Sequence, residues 1–282
     1  MSYKVSIYIP AFNAEKTIEY SIKSIQNQSL SFDEIVVIDD HSTDSTNEIV
    51  KNFSEIKLIT NSENMGLGFN RNLAIKNCNN EIVAAIDADV VLDKFWLENI
   101  LKTFEKNKIT MSGGKMIEKN VDNKFNSWRS RYYSQNWGDK NILNPPFLYG
   151  CNTIQNKFIW NKINGYDDKM LTNGEDVDYS KKIKLHNNFE LHYCSNAICH
   201  HLQDDNLESL SNRVWRYHSF GYKIKKPSFY RFIKLSLKQF KFLFQRILEN
   251  LFKFNFYFIF ISFKIFLKFI SLEFKNYLSN KK

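Results

Sequence analysis

The stretch Glu81-Ile-Val-Ala-Ala-Ile-Asp-Ala-Asp89 joins a short apolar run to two aspartates. An apolar run of this length predicts a strand that is buried on both faces. Two carboxylates two residues apart repel each other unless a cation lies between them. Such oxygen ligands suit Mg²⁺ or Mn²⁺, which proteins often share with substrate phosphates. A polar turn explains the pair more simply, because Asp is common in turns, so the pair needs support from the rest of the chain.

Three more apolar runs precede this stretch, and a helix-like segment follows each of them. The predicted strands cover 5–9, 34–38 and 57–59, and the predicted helices cover 14–28, 45–53 and 67–77. This alternation predicts an α/β fold with a mostly parallel central sheet flanked by helices. Ligands of such sheets bind beyond the carboxyl ends of the strands. The runs here end in residues suited to that place, among them Pro10-Ala-Phe-Asn13 and Asp39-Asp40.

Residues at these strand ends are candidates for binding a nucleotide. An Asp at this edge, Asp39 or Asp40, can accept the imide N–H of a uracil or thymine ring, while Phe12 can stack on the face of the ring. Arg71, in the first turns of a predicted helix, suits a phosphate or base contact. The nearby Gly66-Leu-Gly68 lacks the third glycine of the dinucleotide fingerprint. A nicotinamide dehydrogenase is therefore disfavoured.

Acidic residues recur late in the chain, in Gly174-Glu-Asp-Val-Asp178, where a helix is predicted to begin and run to about residue 186. Acids in a first helical turn complement the helix dipole, which accounts for at least one of them. A carboxylate that faces the cleft can also act as general base for an acceptor hydroxyl. His200-His201 ends a predicted strand at 197–201; a histidine pair is more often structural, but imidazole is also a common metal ligand.

Taken together and in this order, the motifs resemble those of the family-two glycosyltransferases, which have the GT-A fold. The matching pieces run from about Val5 to His201: IPAFN at 9–13, VIDDHSTD at 37–44, NMGLGFNRN at 64–72, DAD at 87–89, YGCN at 149–152, NGYDD at 164–168, GEDVD at 174–178 and CHH at 199–201. No single motif decides the matter, but their shared order and spacing do. The resemblance implies a Rossmann-like domain that binds a nucleotide-sugar donor.

The resemblance also implies a role for each matching residue in donor binding. Pro10, Phe12 and Asp40 would line the nucleobase pocket. Arg71 would support the base or the phosphates, and Asp87 would contact the ribose or the metal.

For the metal and the chemistry, the resemblance implies a divalent cation, Mn²⁺ or Mg²⁺, held by Asp89 and bridging the diphosphate. One of His200 and His201 would complete the metal shell; spacing alone does not choose between them, and His200 is preferred. Asp176 would be the catalytic base of an inverting displacement, with Glu175 as the alternative. Such a base typically contributes about 10²–10⁴-fold to the rate.

Two positions depart from the family pattern. His41 stands where the family usually has Gly, so that a positive φ at this position would strain the backbone. Asn70 stands where Ala is usual, which is expected to alter the pocket beside the nucleotide. Neither change removes a group that the mechanism requires.

The implied reaction moves a sugar from a nucleotide-sugar, with UDP favoured, to a hydroxyl of a glycan or lipid-linked acceptor. A nucleotidyltransferase of related fold would need a Gly-rich, basic loop after the first strand, where this chain has Pro-Ala-Phe-Asn-Ala-Glu. A non-catalytic module that binds sugar nucleotides or membranes is the other alternative, and the retained acids argue against it. Scattered cysteines and the lack of a signal-peptide pattern near Met1 predict a cytosolic setting.

The regular pattern loosens between Lys115 and Pro146, where aromatic residues such as Trp128 and Trp137 stand among polar ones. A long segment of this kind predicts a partly helical excursion that covers a binding cleft. Its residues offer no readable code for the acceptor.

Charge and phenylalanine are concentrated at the end of the chain. Residues 229–282 hold 11 Lys and Arg, two acids and 14 of the 25 Phe, whereas the first 228 residues hold 28 charges of each sign. The sequence therefore predicts a glycosyltransferase domain over 1–226 and a basic, Phe-rich helical tail over 227–282.

This tail predicts association with a membrane surface. On a single helix, Lys253, Lys264, Lys268 and Lys275 fall within about 60° of one another, and Phe and Ile fill most of the rest. Such a helix suits the membrane interface better than a span, which places the protein peripherally at the inner face of the cell membrane. Nucleic acid is the rival partner, but the excess of Phe, Ile and Leu over Arg favours lipid. A helical hairpin packed on the enzyme or on a second subunit is the structural alternative.

Overall fold

A computed structural model describes residues 3–103, 109–219 and 227–279 of the chain. The chain forms two compact units. The sheet unit comprises Met1–Lys119 and Ser134–Gln203, and the helical unit comprises Asn120–Tyr133 and Asp204–Lys282. The predicted domain boundary after residue 226 stays a prediction.

The first half of the sheet unit alternates strands with helices, as the apolar runs predict. Its elements are β1 (Val5–Ala11), α1 (Ile18–Gln26), β2 (Glu34–Asp39), α2 (Thr46–Lys51), β3 (Lys57–Thr60), α3 (Leu67–Asn77) and β4 (Ile82–Ile86). The four predicted strands and three predicted helices are all present, although the first two helices are shorter than predicted at both ends. β1, β2 and β4 are buried because helices cover both faces of the sheet, whereas β3, at the edge, is partly exposed.

Shorter strands and helices follow. They are β5 (Val90–Leu92), α4 (Trp96–Leu101), β6 (Ile109–Glu118), α5 (Lys124–Tyr132), β7 (Ile142–Leu143), β8 (Asn152–Asn156), α6 (Lys157–Lys162), α7 (Glu175–Lys184) and β9 (Phe189–His201). The predicted irregular excursion is wrong over 115–118, because these residues complete β6 and pair with β9. Of the remaining excursion, α5 belongs to the helical unit, and a cleft-covering role stays a prediction.

Nine strands of the described ranges form one sheet, in the order β3-β2-β1-β4-β8-β6-β9-β5, with β7 paired to β9. The strands from β3 to β4 are mutually parallel. Antiparallel β8 then joins β4 to β6, and β6 runs parallel to β9. The α/β fold class is confirmed, and the carboxyl ends of β1, β2 and β4 lie side by side at one edge.

Two hydrophobic clusters cover the two faces of this sheet because side chains alternate along each strand. Ile7 and Ile9 of β1 belong to one cluster, with Trp96 of α4 fully buried among them. Tyr8 belongs to the other, with Ile38 of β2. Each large apolar side chain buried in this way stabilises the fold by about 1.5–3 kcal/mol. The loops beyond the strand ends are therefore held on a rigid support.

The helical unit is built from α5 together with α8 (Leu207–Ser219), α9 (Phe229–Leu251) and α10 (Phe256–Ser279). Its core includes Trp128, Leu210 and Phe269. The amphipathic pattern of 206–222 predicts a helix; α8 provides it from Leu207 to Ser219, and residues 220–222 lie outside the described residues. In the ranges that the structure describes, no helix has the length and apolarity needed to cross a membrane.

The tail is two helices rather than the one continuous helix on which the lysine alignment was predicted. Lys253 lies in the turn between α9 and α10, which corrects its placement beside the other lysines. Lys264, Lys268 and Lys275 do lie on α10. The positive φ of 51° at Phe254 contributes to the reversal of the chain. Helices α9 and α10 pack along each other as a hairpin.

Candidate functional site

The carboxylate of Asp40, directly after β2, holds the loop that leads into α3. It accepts hydrogen bonds from the backbone N–H groups of Met65 and Gly66 at 2.8 and 2.9 Å and from the side-chain amide of Asn61 at 2.8 Å. Asp40 is almost completely buried. Its first role is therefore to order the β3–α3 loop, and a contact with a nucleobase stays a prediction.

Asn70, one of the two departures from the family pattern, joins this network. Its Oδ1 accepts from Asn61 at 2.7 Å, and its Nδ2 donates to the carbonyl of Gly66 at 2.8 Å. The Asn61 amide therefore donates to Asp40 and to Asn70 at once. An alanine at position 70 cannot form these hydrogen bonds. Asn70 therefore adds polar contacts to the hydrogen-bond network around Asp40.

His41, the other departure, has a φ of 63°. This value lies in the left-handed region, which the family's glycine adopts without cost and which other residues adopt at roughly 1–3 kcal/mol. His is among the residues that tolerate the region best. The neighbouring Asp39 accepts from the backbone N–H of Ser42 at 3.1 Å, which helps to hold the turn.

Pro10 and Phe12 stand at the end of β1, beside the end of β2. Pro10 is buried in the register position opposite Ile38, and the backbone N–H of Asp40 donates to Ala11 at 2.8 Å. The ring of Phe12 is half exposed. An exposed ring next to a buried carboxylate at a sheet edge is a suitable surface for a flat heterocycle.

Arg71 of α3 is buried among acidic and aromatic side chains. Its Nη2 donates to Asp87 at 2.9 Å and its Nε to Glu175 at 3.3 Å. The guanidinium carbon lies 6.0 Å from the centre of the Tyr166 ring. With only 1 % of its side chain exposed, Arg71 orients the two carboxylates in this structure rather than presenting itself to a ligand. Its predicted contact with base or phosphate stays a prediction.

Asp87 and Asp89 have different surroundings, although one residue separates them. Asp87 is 31 % exposed, and burial together with Asp89 raises its pKa, while Arg71 lowers it. Asp89 lies 3.1 Å from His201, measured from Oδ2 to Nε2. The backbone carbonyl of Asp89 also accepts from Leu202 at 2.8 Å. Asp89 is thus fixed against the end of β9, whereas Asp87 is fixed against α3.

The structure chooses between the two histidines. His201, not His200, lies beside Asp89, and Nδ1 of His201 also lies 3.0 Å from Glu118. His200 points to the other face of β9 and pairs with Asp93 at 2.8 Å. Burial by itself lowers the pKa of His201, but Asp89 and Glu118 outweigh this effect and raise it to about 9. His201 rather than His200 is therefore the histidine beside Asp89, and the role of either histidine as a metal ligand stays a prediction.

The acids at the start of α7 also differ from each other. Glu175 is buried against Arg71, and burial together with Asp176 raises its pKa to about 7. Asp176 is partly exposed and accepts from the backbone N–H of Gly150 at 3.1 Å. Burial raises the pKa of Asp176, whereas the bond from Gly150 lowers it. Of these two acids, Asp176 is therefore the more exposed to solvent.

Gly150 leaves room for this arrangement. A Cβ at this position would lie 3.0 Å from Nη2 of Arg71 and 3.2 Å from Cβ of Asp176. Because glycine has no side chain, α7, α3 and the end of β4 can come together around Arg71. The ionisable groups of the site are Arg71, Asp87, Glu175, Asp176 and the Asp89–His201 pair.

Comparison with known proteins identifies the family of the chain. Residues 6–172 match glycosyl transferase family 2. The chain belongs to this family. A glycosyltransferase of Haemophilus influenzae, itself uncharacterised, is 32 % identical over 193 residues, which are 64 % of this chain and 58 % of that protein. The UDP-Glc:α-D-GlcNAc-diphosphoundecaprenol β-1,3-glucosyltransferase WfgD of Escherichia coli is 31 % identical over 163 residues, 57 % of this chain and 55 % of that protein.

The chain thus spans somewhat more than half the length of these two family-two relatives. A solved structure, the mannosyltransferase PcManGT of Pyrobaculum calidifontis in complex with GDP-Man and Mn²⁺, superposes with a TM-score of 0.60. It is 18 % identical, and the match covers 83 % of this chain and 65 % of that one. At this identity the likeness shows the fold alone, which is the GT-A fold that the motif order predicts.

The family implies a divalent metal, which needs oxygen or nitrogen atoms of several side chains close together. Within 3–103, 109–219 and 227–279, no three His, Cys, Asp or Glu side chains are grouped to hold a metal ion. Once Nε2 of His201 has lost its proton, Asp89 and His201 offer one oxygen and one nitrogen at one place. Cations such as Mg²⁺ take few protein ligands when phosphate oxygens complete their shell. The pair fits a metal that binds together with a diphosphate.

Two groups of the site, Glu118 and the backbone N–H of Gly150, are not predicted from the sequence. Glu118 lies in the stretch where the pattern loosens, and Gly150 contributes a backbone N–H, for which side-chain chemistry gives no signal. A strand predicted over 109–118 and running parallel to β9 would place Glu118 opposite His201. Both residues depend on contacts between distant segments.

Proposed function

We propose that this family-two glycosyltransferase transfers a sugar from a UDP-sugar to a hydroxyl group, with inversion at the sugar carbon and with the help of Mn²⁺ or Mg²⁺. The observation that carries the proposal is that Asp87 pairs with Arg71, that Asp176 lies beside Arg71 at Gly150, and that Asp89, two residues after Asp87, pairs with His201. Sugar transfer from a nucleoside diphosphate needs a counter-charge for the leaving group and a base for the acceptor. Asp176 would serve as the base, and a metal held by Asp89 and His201 would supply the counter-charge.

The donor is proposed to lie along the carboxyl edge of the sheet. Its base would stack on the exposed ring of Phe12 beside Pro10 and Asp40, and its ribose would face Asp87. Asp89 and His201 would hold the metal, which neutralises charge that develops on the leaving diphosphate. Because Asp89 and His201 provide only two ligands, we expect metal and nucleotide to bind more tightly together than apart.

Asp176 is proposed as the catalytic base. Its carboxylate would take the proton of the acceptor hydroxyl while that oxygen forms the new bond to the sugar carbon and the bond to the diphosphate breaks. The N–H of Gly150 holds the carboxylate in place at 3.1 Å. Glu175 is less suitable because it is buried and bound to Arg71.

The acceptor is proposed to be a glycan, and in particular a lipid-linked one. The family-two relative from Escherichia coli is named for a diphosphoundecaprenol-linked acceptor. In this chain, Trp137, Phe147 and Tyr149 form an aromatic cluster, with ring centres 4.9–5.9 Å apart, immediately before Gly150. Aromatic faces bind sugar rings through their apolar C–H surfaces, so this cluster is a suitable platform beside Asp176.

A lipid-linked acceptor places the reaction at a membrane, and the helical unit has a surface that suits one. Helix α9 exposes an apolar stripe, and α10 exposes a second one, at intervals mostly of three or four residues: Ile233, Leu237, Phe240, Phe244 and Leu248, then Phe256, Phe260, Phe263, Leu267 and Phe274. Ring contacts between Phe240 and Phe266 and between Phe232 and Phe274 join the stripes across the seam of the hairpin. We call this surface the hairpin face.

Lysines stand beside both stripes of the hairpin face. Lys234 and Lys241 of α9 and Lys264 and Lys275 of α10 lie roughly 60–120° around their helices from the centre of each stripe. All four are exposed. Apolar side chains edged by lysines match the acyl boundary and the anionic headgroups of a bilayer. A second copy of the chain would oppose like charges, so we propose peripheral binding to the inner face of the cell membrane.

Nucleotide binding and sugar transfer test the proposal directly. UDP is titrated into the wild type and into Asp89→Asn with and without Mn²⁺, and labelled UDP-, GDP- and dTDP-sugars are offered with a membrane lipid extract. We expect Mn²⁺ to strengthen UDP binding in the wild type only, and a labelled lipid product from a UDP-sugar. Equal Mn²⁺ dependence in Asp89→Asn would contradict the metal site. Binding without transfer to any lipid or glycan would favour a non-catalytic module.

A further inference from the structure

A buried glutamate, Glu118, holds the side of His201 that faces away from Asp89. Glu118 Oε2 lies 3.0 Å from Nδ1 of His201, and Asp89 Oδ2 lies 3.1 Å from Nε2 of the same ring. The side chains of Glu118 and His201 are each only 5 % exposed. The imidazole is thus clamped between two carboxylates, of which only Asp89 reaches towards solvent.

The sheet itself places these residues together. In the parallel pair of β6 and β9, Glu118 stands in the register position opposite His201. In the antiparallel pair of β5 and β9, Val90 stands opposite His201, which brings the preceding Asp89 to the other side. The backbone N–H of Lys119 also donates to the carbonyl of His201 at 3.1 Å. The clamp is therefore fixed by strand pairing before any ligand binds.

An imidazole that binds a metal must present the lone pair of one nitrogen and keep a proton on the other. Carboxylates that accept the proton of the second nitrogen fix both the ring orientation and the tautomer. In His201, a bond from Nδ1–H to Glu118 leaves Nε2 as the atom that faces Asp89. A half-turn of the ring would reverse the nitrogens, and Glu118 opposes that turn.

We propose that Glu118 is a positioning residue that keeps Nε2 of His201 directed at the metal beside Asp89. The inference rests on the proposed metal site and adds a residue to it that does not touch the metal or the substrate. The structure offers a contrast on the same strand, since His200 pairs with Asp93, which is 46 % exposed. A solvated partner of this kind does not hold a ring in one orientation.

The chain also provides a matched control. His192 lies 3.4 Å from Glu190 on β9, so that this second His–Glu pair is part of the same strand but far along it from Asp89. Removing Glu190 perturbs a comparable pair without touching the proposed metal site. Variants at 118 and 190 can therefore be compared directly.

The experiment measures the affinity of the UDP-bound protein for Mn²⁺, from the electron paramagnetic resonance signal of free Mn²⁺, in the full chain. Glu118→Met keeps the volume and the apolar burial but removes the acceptor, and we expect it to weaken Mn²⁺ binding roughly 10–100-fold. Glu118→Gln keeps an acceptor oxygen and is expected to stay within a few-fold of the wild type. Glu190→Met is expected to bind Mn²⁺ as the wild type does.

The outcomes separate this inference from the proposed function. If Asp89→Asn and His201→Ala lose Mn²⁺ but Glu118→Met binds it normally, the positioning role is overturned and the metal site stands. If Asp89→Asn and His201→Ala also bind Mn²⁺ normally, the metal site fails and the inference fails with it. An equal loss in Glu118→Met and Glu190→Met would show a general effect on β9 and would likewise overturn the proposal. Circular dichroism of each variant confirms that it is folded.

Discussion

The sheet unit and the helical unit use charge in opposite ways. Around Arg71 in the sheet unit, cationic and anionic groups are buried, paired and held by strand ends. On the hairpin face of the helical unit, the lysines are exposed and stand beside apolar side chains. The first 228 residues carry 28 charges of each sign, whereas residues 229–282 carry 11 cations and two acids.

Burial decides what each arrangement can do. A buried charge is costly to desolvate and is retained where a partner or a ligand compensates it, so its position is specific. An exposed charge gains little from any single partner, but several together attract an oppositely charged surface. The sheet unit is accordingly suited to chemistry at defined atoms, and the helical unit to association with a surface.

The largest effect, on the rate of sugar transfer, is expected from the loss of one carboxylate in the sheet unit. Asp176→Asn removes the proposed base, so that transfer should fall about 10²–10⁴-fold while UDP-sugar binding stays unchanged. Initial rates with a labelled UDP-sugar and titration of UDP measure the two properties. Asp178→Asn, on the same helix, is the control because Asp178 pairs with Lys182. Turnover near that of the wild type would rule out Asp176 as the base.

A smaller effect is expected on the hairpin face, where no single charge is decisive. The variant with Lys234, Lys241, Lys264 and Lys275 all changed to Gln should bind anionic vesicles about 10–10³-fold more weakly, because each lysine contributes up to about 1 kcal/mol before screening by salt. Flotation with phosphatidylserine vesicles, with phosphatidylcholine alone as reference, measures this binding.

The control for this variant changes four exposed lysines of the sheet unit to Gln: Lys16, Lys51, Lys76 and Lys181. It removes the same charge and should float as the wild type does. Equal losses in both variants would mean that net charge, and not the hairpin face, binds the vesicles. A wild type that dimerises through this face and does not float would refute membrane docking.

The smallest effect concerns the pH dependence of stability that a buried acid produces. The native pKa of Glu175 is about 7, above its ordinary 4.5. Between these values the unfolded chain is ionised at this position while the native chain keeps the proton. The stabilisation that is present below about pH 4.5 is therefore lost as the pH rises through 7. Glu175→Gln should lack this component.

Thermal melts of the wild type and of Glu175→Gln are recorded between pH 4.5 and 7.5. The difference in stability between the two proteins measures the pH-dependent contribution of Glu175. The stability of the wild type relative to Glu175→Gln should fall across this window and level off above it. Glu63→Gln, at an exposed position, provides the reference for a change of charge without burial. Parallel curves for the wild type and Glu175→Gln would show that the acid is not buried in the manner described.

Much of this molecule follows from local sequence patterns. Apolar runs of five or six residues predict β1, β2 and β4, because a strand covered by helices on both faces needs apolar side chains at every position. The residues that follow these strands predict the edge where a ligand binds, and Asp87 and Asp89 are found there. Helix α3 is predicted at the bounds that the structure gives, Leu67–Asn77.

The tertiary structure alone decided other features. His200 and His201 are equivalent in the sequence, and only the pairing of β5 and β9 shows which of them faces Asp89, because neighbouring side chains point to opposite faces of a strand. Lys253 does not align with Lys264, Lys268 and Lys275 because it lies in the turn that divides the tail into α9 and α10.

Local sequence patterns thus predict the first seven elements of the sheet unit, the α/β class and most residues of the candidate site. The tertiary structure decided which of these residues meet: Glu118 with His201, and Asp176 with the backbone of Gly150. The physical reason is that helix and strand formation depends on neighbours along the chain, whereas a site depends on strand register and packing between segments distant in sequence.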